Sequence, residues 1–402
     1  MPAEAAGSSR STAGSGRPDL AWPPAFARSR ADREALLVLA SLQGIRPRRL
    51  LEMAADMGTA RACLAAVVAG TEGSEADRLW AARIDPTRLE ASLQACDARM
   101  VVPGSKEYPP ALGDLADPPA ALFVRGRPLG PASDQAPAAR VAVVGARRCS
   151  SLGQEVATQI GGGLARSGVG VVSGAAMGID AAAHEGALRA GGHTIAVLGC
   201  GIDEAYPPRN RGLIERIAAS GTVISEYPPG VPAEPFRFPA RNRIIAALAE
   251  AVVVVEGARG SGSLITADHA LDLGRAVYAV PGPVTSPLSE VPLALIRDGA
   301  GMIRGADDLL VDLGRIDPAA GPHGGPDGTA DRPGVVDPPL AGLSHTEREV
   351  LAVLAGPTLP DDVARSLGWQ LSDVIPVLVG LELRGLVRNV GGRVERRLVA
   401  GP

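Results

Sequence analysis

The sequence contains little lysine, histidine, cysteine or aromatic residue. Lys106 is the one lysine among 40 basic residues, so the other 39 are arginine. Five histidines in 402 residues are too sparse for a metal cage. The four cysteines form no C-x-x-C pair, which argues against a zinc site and a disulfide framework; they are Cys63, Cys96, Cys149 and Cys200. We expect neither a metal nor a cofactor.

Long apolar runs and an excess of positive charge are also missing. No apolar run reaches the roughly 18 residues that suggest a membrane helix, and no secretory leader is evident, so we expect a cytoplasmic protein without a membrane span. A net charge of −4 argues against a globally basic nucleic-acid coat. A nucleic-acid site here must be a local patch, for which arginine suits because it binds phosphate through two N–H groups and stacks on bases.

The composition and hydrophobic pattern of the chain change several times, which predicts separate domains. Residues 1–31 mix Ser, Ala, Gly, Pro and Arg without periodicity, which predicts a disordered tail. Residues 32–98 carry helical patterns; their LQGI turn allows a helix-hairpin-helix contact to DNA, with a simple packing bundle as the alternative. After a Pro/Gly linker at 314–341, residues 342–402 read as three helices and a Gly-Gly hairpin, which predicts a winged helix.

Residues 99–313 alternate short apolar runs with amphipathic segments. Continuous apolar runs are typical of parallel strands that are covered on both faces. Alternation of strand and helix predicts a doubly wound α/β sheet. The six runs are VAVVG (141–145), VGVVSG (169–174), TIAVLG (194–199), TVISE (222–226), AVVVVEG (251–257) and AVYAVPG (276–282).

Small residues follow almost every predicted strand. Ligands of open α/β sheets bind beyond the carboxyl ends of the strands. Glycine lets backbone N–H groups approach an oxyanion, and a helix N-terminus adds its dipole. Together these loops predict a phosphate cradle, although each one alone fits a tight strand–helix turn equally well. The candidates are Gly145, Arg147 and Arg148 after the first run, Ser173, Gly174, Ala176 and Gly178 after the second, and Ser261, Gly262 and Ser263 after the fifth.

The segment FPARNRIIAALA places an aromatic ring beside two guanidinium groups. Phe238 precedes Arg241, Asn242 and Arg243 at the start of a predicted helix. An aromatic side chain beside arginines is the usual equipment for single-stranded nucleic acid, because a base stacks on the ring while phosphates are held. The alternative is an internal network in which arginines hold strand-end glutamates, and it has equal weight for Arg243.

Four further polar residues are assigned orienting rather than catalytic roles. Asp180 and His184 stand four residues apart on one predicted helix, where Asp180 caps or orients the loop and His184 packs nearby. An acid–base pair is the less favoured alternative. Glu226 and Glu256 end apolar strands, where a buried carboxylate needs a partner, and the arginines of the FPARNR segment are the obvious candidates.

Seven sequence blocks in order carry a resemblance to the DNA-processing protein A family, also called Smf. They span about residues 108–304 and are YPPALGDLADPPAALFVRG, VAVVGARRCSSLG, VVSGAAMGIDAAAHEGAL, TIAVLGCGIDEAYPPRN, ISEYPPG, FPARNRIIAALA and SGSLITADHALDLGRAVYAVPG. The resemblance implies an extended Rossmann-like domain, preceded by a small SAM- or helix-hairpin-helix-like helical domain and followed by the winged helix. It also implies single-stranded DNA binding without nucleotide consumption, homodimerisation, and loading of the RecA recombinase onto incoming DNA in natural transformation.

The resemblance places binding residues on Arg147, Phe238, Arg241 and Arg243, with the 173–178 turn lining the pocket. Some family members have lysines around this pocket where this chain has none. Which other arginine substitutes stays open among Arg148, Arg209, Arg211 and Arg237. In residues 342–402 seven arginines balance seven carboxylates, and VIPVLVGLEL on the would-be recognition helix is apolar. We therefore interpret the winged helix as a packing or protein-contact module.

The rival hypothesis is a nucleotide-processing enzyme of the phosphoribohydrolase type. That group resembles this chain in its glycine loops and carries P-G-G-x-G-T-x-x-E, where this chain has GARGSGSLITAD. Ala267 and Asp268 follow Thr266, so the motif's glutamate has no counterpart. We expect a binding protein rather than an enzyme.

Overall fold

A computed structural model describes residues 21–129, 139–315, 343–354, 358–384, 386–390 and 393–396. The chain divides into two compact units, Met1–Ala319 and Ala320–Pro402. The helical segment and the α/β segment fall in the same unit, so the boundary predicted at residue 99 stays a prediction. The predicted Pro/Gly linker lies outside the described residues, apart from its first two.

Five short helices open the first unit. They bury Phe26, Leu36, Met53 and Cys63 in one core. Helix α1 begins at Arg30, and Phe26 is 2% exposed with Trp22 at a ring-centroid distance of 4.7 Å. The predicted disordered tail is therefore too long in its last part: residues 21–31 pack, because two aromatic rings enter the core. The rest of that tail lies outside the described residues. The helices are α1 (Arg30–Ser41), α2 (Pro47–Met57), α3 (Ala60–Ala69), α4 (Glu75–Arg83) and α5 (Pro86–Ala95).

A nine-stranded, mostly parallel sheet follows in the same unit. Its strands are β1 (Ala98–Val101), β2 (Leu122–Gly126), β3 (Arg140–Val144), β4 (Gly170–Ser173), β5 (Thr194–Gly201), β6 (Thr222–Tyr227), β7 (Ala251–Val254), β8 (Ala276–Ala279) and β9 (Gly301–Met302). The order is β1-β2-β6-β5-β4-β3-β7-β8-β9, with β1–β2 and β2–β6 antiparallel and the other pairs parallel. The six predicted strands are confirmed as β3 to β8.

Helices cover both faces of the sheet, which confirms the extended Rossmann-like, doubly wound fold. Neighbouring residues of β3 point to opposite sides: Val141 and Val143 pack with α6 and α7, whereas Ala142 and Val144 pack with α9 and α10. This burial on both sides explains why the runs are continuously apolar. The helices are α6 (Ser151–Arg166), α7 (Ile179–Arg189), α8 (Arg211–Ser220), α9 (Arg237–Ala247), α10 (Gly262–Asp272), α11 (Glu290–Arg297) and α12 (Ala306–Asp312).

The second unit has the winged-helix elements that the sequence predicts. Val350, Val363, Val374 and Leu381 are fully buried in its core. None of the helices in the described ranges is long and apolar enough to cross a membrane. The elements are α13 (His345–Val353), α14 (Pro360–Leu367), α15 (Leu371–Leu383), β10 (Val387–Val390) and β11 (Arg393–Arg396).

Candidate nucleic-acid interface

The strand order reverses between β3 and β7, and a cavity opens there. From β3 the chain continues outward through β4, β5 and β6, whereas β7 and β8 lie on the other side of β3. Such a switch point leaves a crevice at the carboxyl ends of the two central strands. A cavity of about 390 Å³ lies at this position, lined chiefly by residues 144–148 after β3, by 258–263 after β7 and by the start of α9. We call it the switch-point cavity.

The loop after β3 presents two arginines and begins α6. Arg147 and Arg148 are exposed and line the cavity, and neither forms a salt bridge with a described residue. Ser150 caps α6 by accepting a hydrogen bond from the Gly153 amide at 2.9 Å. Its own amide and hydroxyl donate to Glu256 at 2.9 and 2.6 Å. The partner of Glu256 is thus Ser150, and the prediction that an arginine of the FPARNR segment holds it is wrong.

The loop after β4 is compact because two glycines allow close approach. A side chain at Gly178, whose φ is +79°, would overlap the Ala146 carbonyl, and one at Gly174 would overlap the Arg241 guanidinium. Ser173 is buried and donates to the Val143 carbonyl at 2.7 Å. Of the predicted residues in this loop, Ala176 lines the switch-point cavity, whereas Ser173, Gly174 and Gly178 hold the loop in place.

Asp180 and His184 follow this loop on α7 and are buried, and Asp180 also lines the switch-point cavity. The Asp180 carboxylate accepts a hydrogen bond from the Gly174 amide at 3.2 Å, and burial raises the pKa of its carboxyl. His184 has no exposed surface, and its Nδ1 lies 2.7 Å from the Thr194 hydroxyl. Burial, reinforced by the charge of Arg241, lowers the pKa of His184 to about 3. These contacts suit the orienting roles predicted for both residues.

Arg241 reaches the floor of the cavity from α9 but is largely enclosed. It is 5% exposed, and its guanidinium donates to the carbonyl oxygens of Gly174, at 2.8 Å, and Val197. Burial lowers the pKa of Arg241 to about 10, and nearby Asp180 opposes that shift. Arg241 therefore fixes the ends of β4 and β5, and its positive charge acts on the cavity from below.

Arg243 does not line the switch-point cavity. It is 4% exposed and donates to Glu226 at 2.8 and 3.0 Å and to the Asp117 carboxylate at 3.0 Å. Burial alone would lower the pKa of Arg243, but the two carboxylates outweigh it and raise the pKa. The internal network is the observed arrangement, with Glu226 as partner. The assignment of Arg243 as a DNA contact is not supported, because its donors are already bound.

Phe238 stands at the mouth of the cavity between a cation and a second ring. The Arg147 guanidinium lies 5.1 Å from the centre of the Phe238 ring. On its other side the Tyr206 ring lies at 5.1 Å with an interplanar angle of 35°. Tyr206 is 39% exposed and lines a small side pocket with Phe238, Arg147 and Met177. The sequence prediction includes Phe238 but misses Tyr206, which is distant in the chain.

The loop after β7 presents the N-terminus of α10 to the cavity. Ser261 caps the helix, and Asn242 donates to the Gly262 carbonyl at 3.0 Å, which ties α9 to α10. Ser261, Gly262 and Ser263 all line the cavity, as predicted for a phosphate cradle. Arg259 lines it too, is exposed and forms no salt bridge among the described residues. The prediction misses Arg259, although GARGSGS places this arginine within a strand-end glycine loop.

The finished site suits an anionic, partly aromatic ligand. Two helix N-termini, those of α6 and α10, lie beside it, and each bears partial positive charge. Three exposed arginines line the cavity together with Phe238, while the described residues contain no group of three or more side chains suited to a metal ion. Ten of the fourteen predicted binding residues line the cavity: Gly145, Arg147, Arg148, Ala176, Phe238, Arg241, Asn242, Ser261, Gly262 and Ser263.

Fold and site together define a doubly wound α/β protein with an arginine-lined anion crevice at its switch point and an added winged helix. The family model for DNA recombination-mediator protein A matches residues 99–314, and that for the DprA winged helix domain matches residues 336–393. The chain belongs to the DNA recombination-mediator protein A family.

Relatives with known names agree with this assignment. The chain is 36% identical over 336 residues to Protein Smf of a Synechocystis strain, covering 78% of this chain and 84% of that protein. It is 42% identical over 268 residues to a putative DNA processing protein DprA of Mycobacterium tuberculosis. This match covers 66% of this chain and 66% of that protein, just under two thirds of each. The X-ray structure of DprA from Streptococcus pneumoniae matches with a TM-score of 0.54 and 39% identity, covering 59% of this chain and 81% of that one.

Proposed function

We propose that this protein binds single-stranded DNA at the switch-point cavity, with Arg147, Arg148 and Arg259 on phosphates and Phe238 against a base. The observation that carries the proposal is that three exposed arginines, which form no salt bridge among the described residues, line the same crevice as one aromatic ring, and that the Arg147 guanidinium lies over that ring. Unneutralised guanidinium groups attract a polyanion, and an aromatic face accepts any base. Asn242, Ser261, Gly262 and Ser263 would complete the backbone contacts.

Binding rather than catalysis is the proposed role of this site. A general acid or base must reach its substrate and titrate near the working pH. Asp180 lines the cavity but is 5% exposed and accepts a hydrogen bond from the Gly174 amide. His184 has no exposed surface, and Glu256 accepts two hydrogen bonds from Ser150. Asp268, at the place of the rival enzyme motif, does not line the cavity.

The wider role that we propose rests on family membership. It is protection of incoming single-stranded DNA and loading of the RecA recombinase during natural transformation, by a cytoplasmic homodimer. The winged helix would serve protein contact, because α15 exposes four apolar side chains at successive turns. These are Leu371, Ile375, Val379 and Leu383. A DNA-reading helix would present polar and basic side chains there.

Fluorescence anisotropy with a labelled oligothymidine, at two salt concentrations and with duplex of equal length as competitor, tests the proposal. Tight binding that weakens with salt and resists the duplex is expected, because phosphate contacts release counterions. Affinity that does not change with salt would contradict the phosphate contacts. Absence of binding, with release of a free base from a nucleoside monophosphate, would instead favour the enzyme of the phosphoribohydrolase type.

A further inference from the structure

A second, larger groove continues from the switch-point cavity along α7. It has a volume of about 980 Å³ and is lined by residues of α6, α7 and the start of α8. Arg147 and Arg148 line both this groove and the cavity, so the two are continuous. We call it the α7 groove.

The α7 groove carries uncompensated positive charge. Five arginines and one glutamate line it. Arg216 is bound to that glutamate, Glu185, with one contact of 3.1 Å. Arg189 and Arg209 are exposed and form no salt bridge among the described residues. Because like charges repel, exposed arginines that outnumber the carboxylates along one groove favour an external anion.

The walls of the groove fit a strand backbone better than stacked bases. Its floor along α7 contains Ala181 and Ala182, with Gly212 on α8. From Ala181 to Arg189 the helix rises about 12 Å. No aromatic residue is among the described lining residues, so the groove offers no ring for a base to stack on. The guanidinium groups supply the positive charge of this lining, whose uncharged polar side chains include Gln154, Thr158 and Asn210.

The geometry points to the α7 groove as a second single-stranded DNA subsite, which takes the sugar-phosphate backbone of the nucleotides next to those in the switch-point cavity. Arg189 and Arg209 would bind phosphates there without base preference. This inference rests on the proposed function, because the strand must first occupy the cavity beside Arg147. A strand of only a few nucleotides would fill the cavity and leave the groove empty.

The test compares two oligothymidines: one of about 6 nucleotides, near the short end of the usual site sizes of single-strand binding folds, and one of about 30, beyond their long end. The variant is the double substitution Arg189→Ala with Arg209→Ala in the full chain. A matched control replaces Arg166 and Arg297, which are likewise exposed, form no salt bridge among the described residues and line neither cavity nor groove. Affinity is measured by anisotropy across a salt series.

For the long strand we expect the groove variant to lose about tenfold in affinity, and the slope of log affinity against log salt to fall by about 1.4, since each phosphate contact of a single strand contributes about 0.7. The short strand should bind as it does to the unchanged protein, and the control should match that protein for both lengths. An unchanged salt slope for the long strand would overturn the inference, as would an equal loss for both lengths. If the unchanged protein fails to bind even the short strand, the proposed function fails instead.

Discussion

The arginines of the strand-end loops and those of α9 differ in what surrounds them. Arg147 and Arg259 are exposed beside the switch-point cavity and form no salt bridge with any residue that the structure describes, whereas Arg241 and Arg243 are at least 95% enclosed. The guanidinium N–H groups of the α9 arginines donate hydrogen bonds to carbonyl and carboxylate oxygens of the protein itself. Arginine therefore serves two purposes in this protein. The exposed arginines are available to a ligand, whereas the buried ones are already bound to partners within the fold. Four substitutions test this difference between exposed and enclosed side chains.

The largest expected effect is on stability, from Arg243→Met. Removing one partner of a buried ion pair leaves Glu226 uncompensated and should lower the free energy of unfolding by about 3–5 kcal/mol. Urea unfolding measures this change. Arg304→Met is the matched control, because Arg304 is 80% exposed and its solvent-screened pair with Asp308 should contribute little to the free energy of unfolding. A stable Arg243→Met protein with lost DNA affinity would reverse the assignment.

Arg147→Ala should lower DNA affinity and leave stability nearly unchanged, in contrast to Arg243→Met. We expect a loss of about 10- to 100-fold in single-stranded DNA affinity, the range for one charged contact, with the unfolding free energy changed by less than about 0.5 kcal/mol. Anisotropy and urea unfolding on the same sample measure both quantities. Arg166→Ala serves as control, since it removes an exposed arginine from the end of α6. Equal affinities of the Arg147 and Arg166 variants would refute the site.

The buried side chain of His184 should make the stability of the protein depend on pH. Its native pKa of about 3 lies below the ordinary 6.5, so the unfolded chain takes up a proton first as pH falls. The stability that the neutral His184 contributes to the folded state is fully present above about pH 6.5 and is lost on acidification. The free energy of unfolding should therefore fall by about 2 kcal/mol between pH 7 and pH 5 on account of this residue. Urea unfolding at both pH values measures this fall, which should be smaller by this amount in His184→Gln than in the unchanged protein. Equal losses in the two proteins would show that His184 is not held neutral.

Arg259→Ala should have the smallest effect. The side chain lines the cavity but touches no aromatic ring, so we expect a loss of a few-fold in affinity and a salt slope reduced by about 0.7. Anisotropy over a salt series measures both. A slope equal to that of the unchanged protein would remove Arg259 from the proposed phosphate contacts.

Part of the candidate site is readable from the chain because it follows strand ends. The loops after β3 and β7 contain glycine, serine and arginine directly behind continuous apolar runs, and both loops line the cavity. Tyr206 could not be found this way, since only folding brings it beside Phe238. The partner of Glu256 could not be found this way either, because Ser150 is far from it in the chain, whereas the arginines of α9 are close in sequence.

The doubly wound sheet, the strand edge that bears the candidate site and the family can be recognised in the amino-acid sequence, because apolar periodicity and strand-end glycines are local properties. Which arginines face the cavity is visible only in the folded chain. Arg241 and Arg243 lie two residues apart on α9, yet one meets carbonyls of β5 and the loop after β4, and the other meets Asp117, 126 residues away. Whether a guanidinium is available to a ligand depends on such distant partners, which no local pattern encodes.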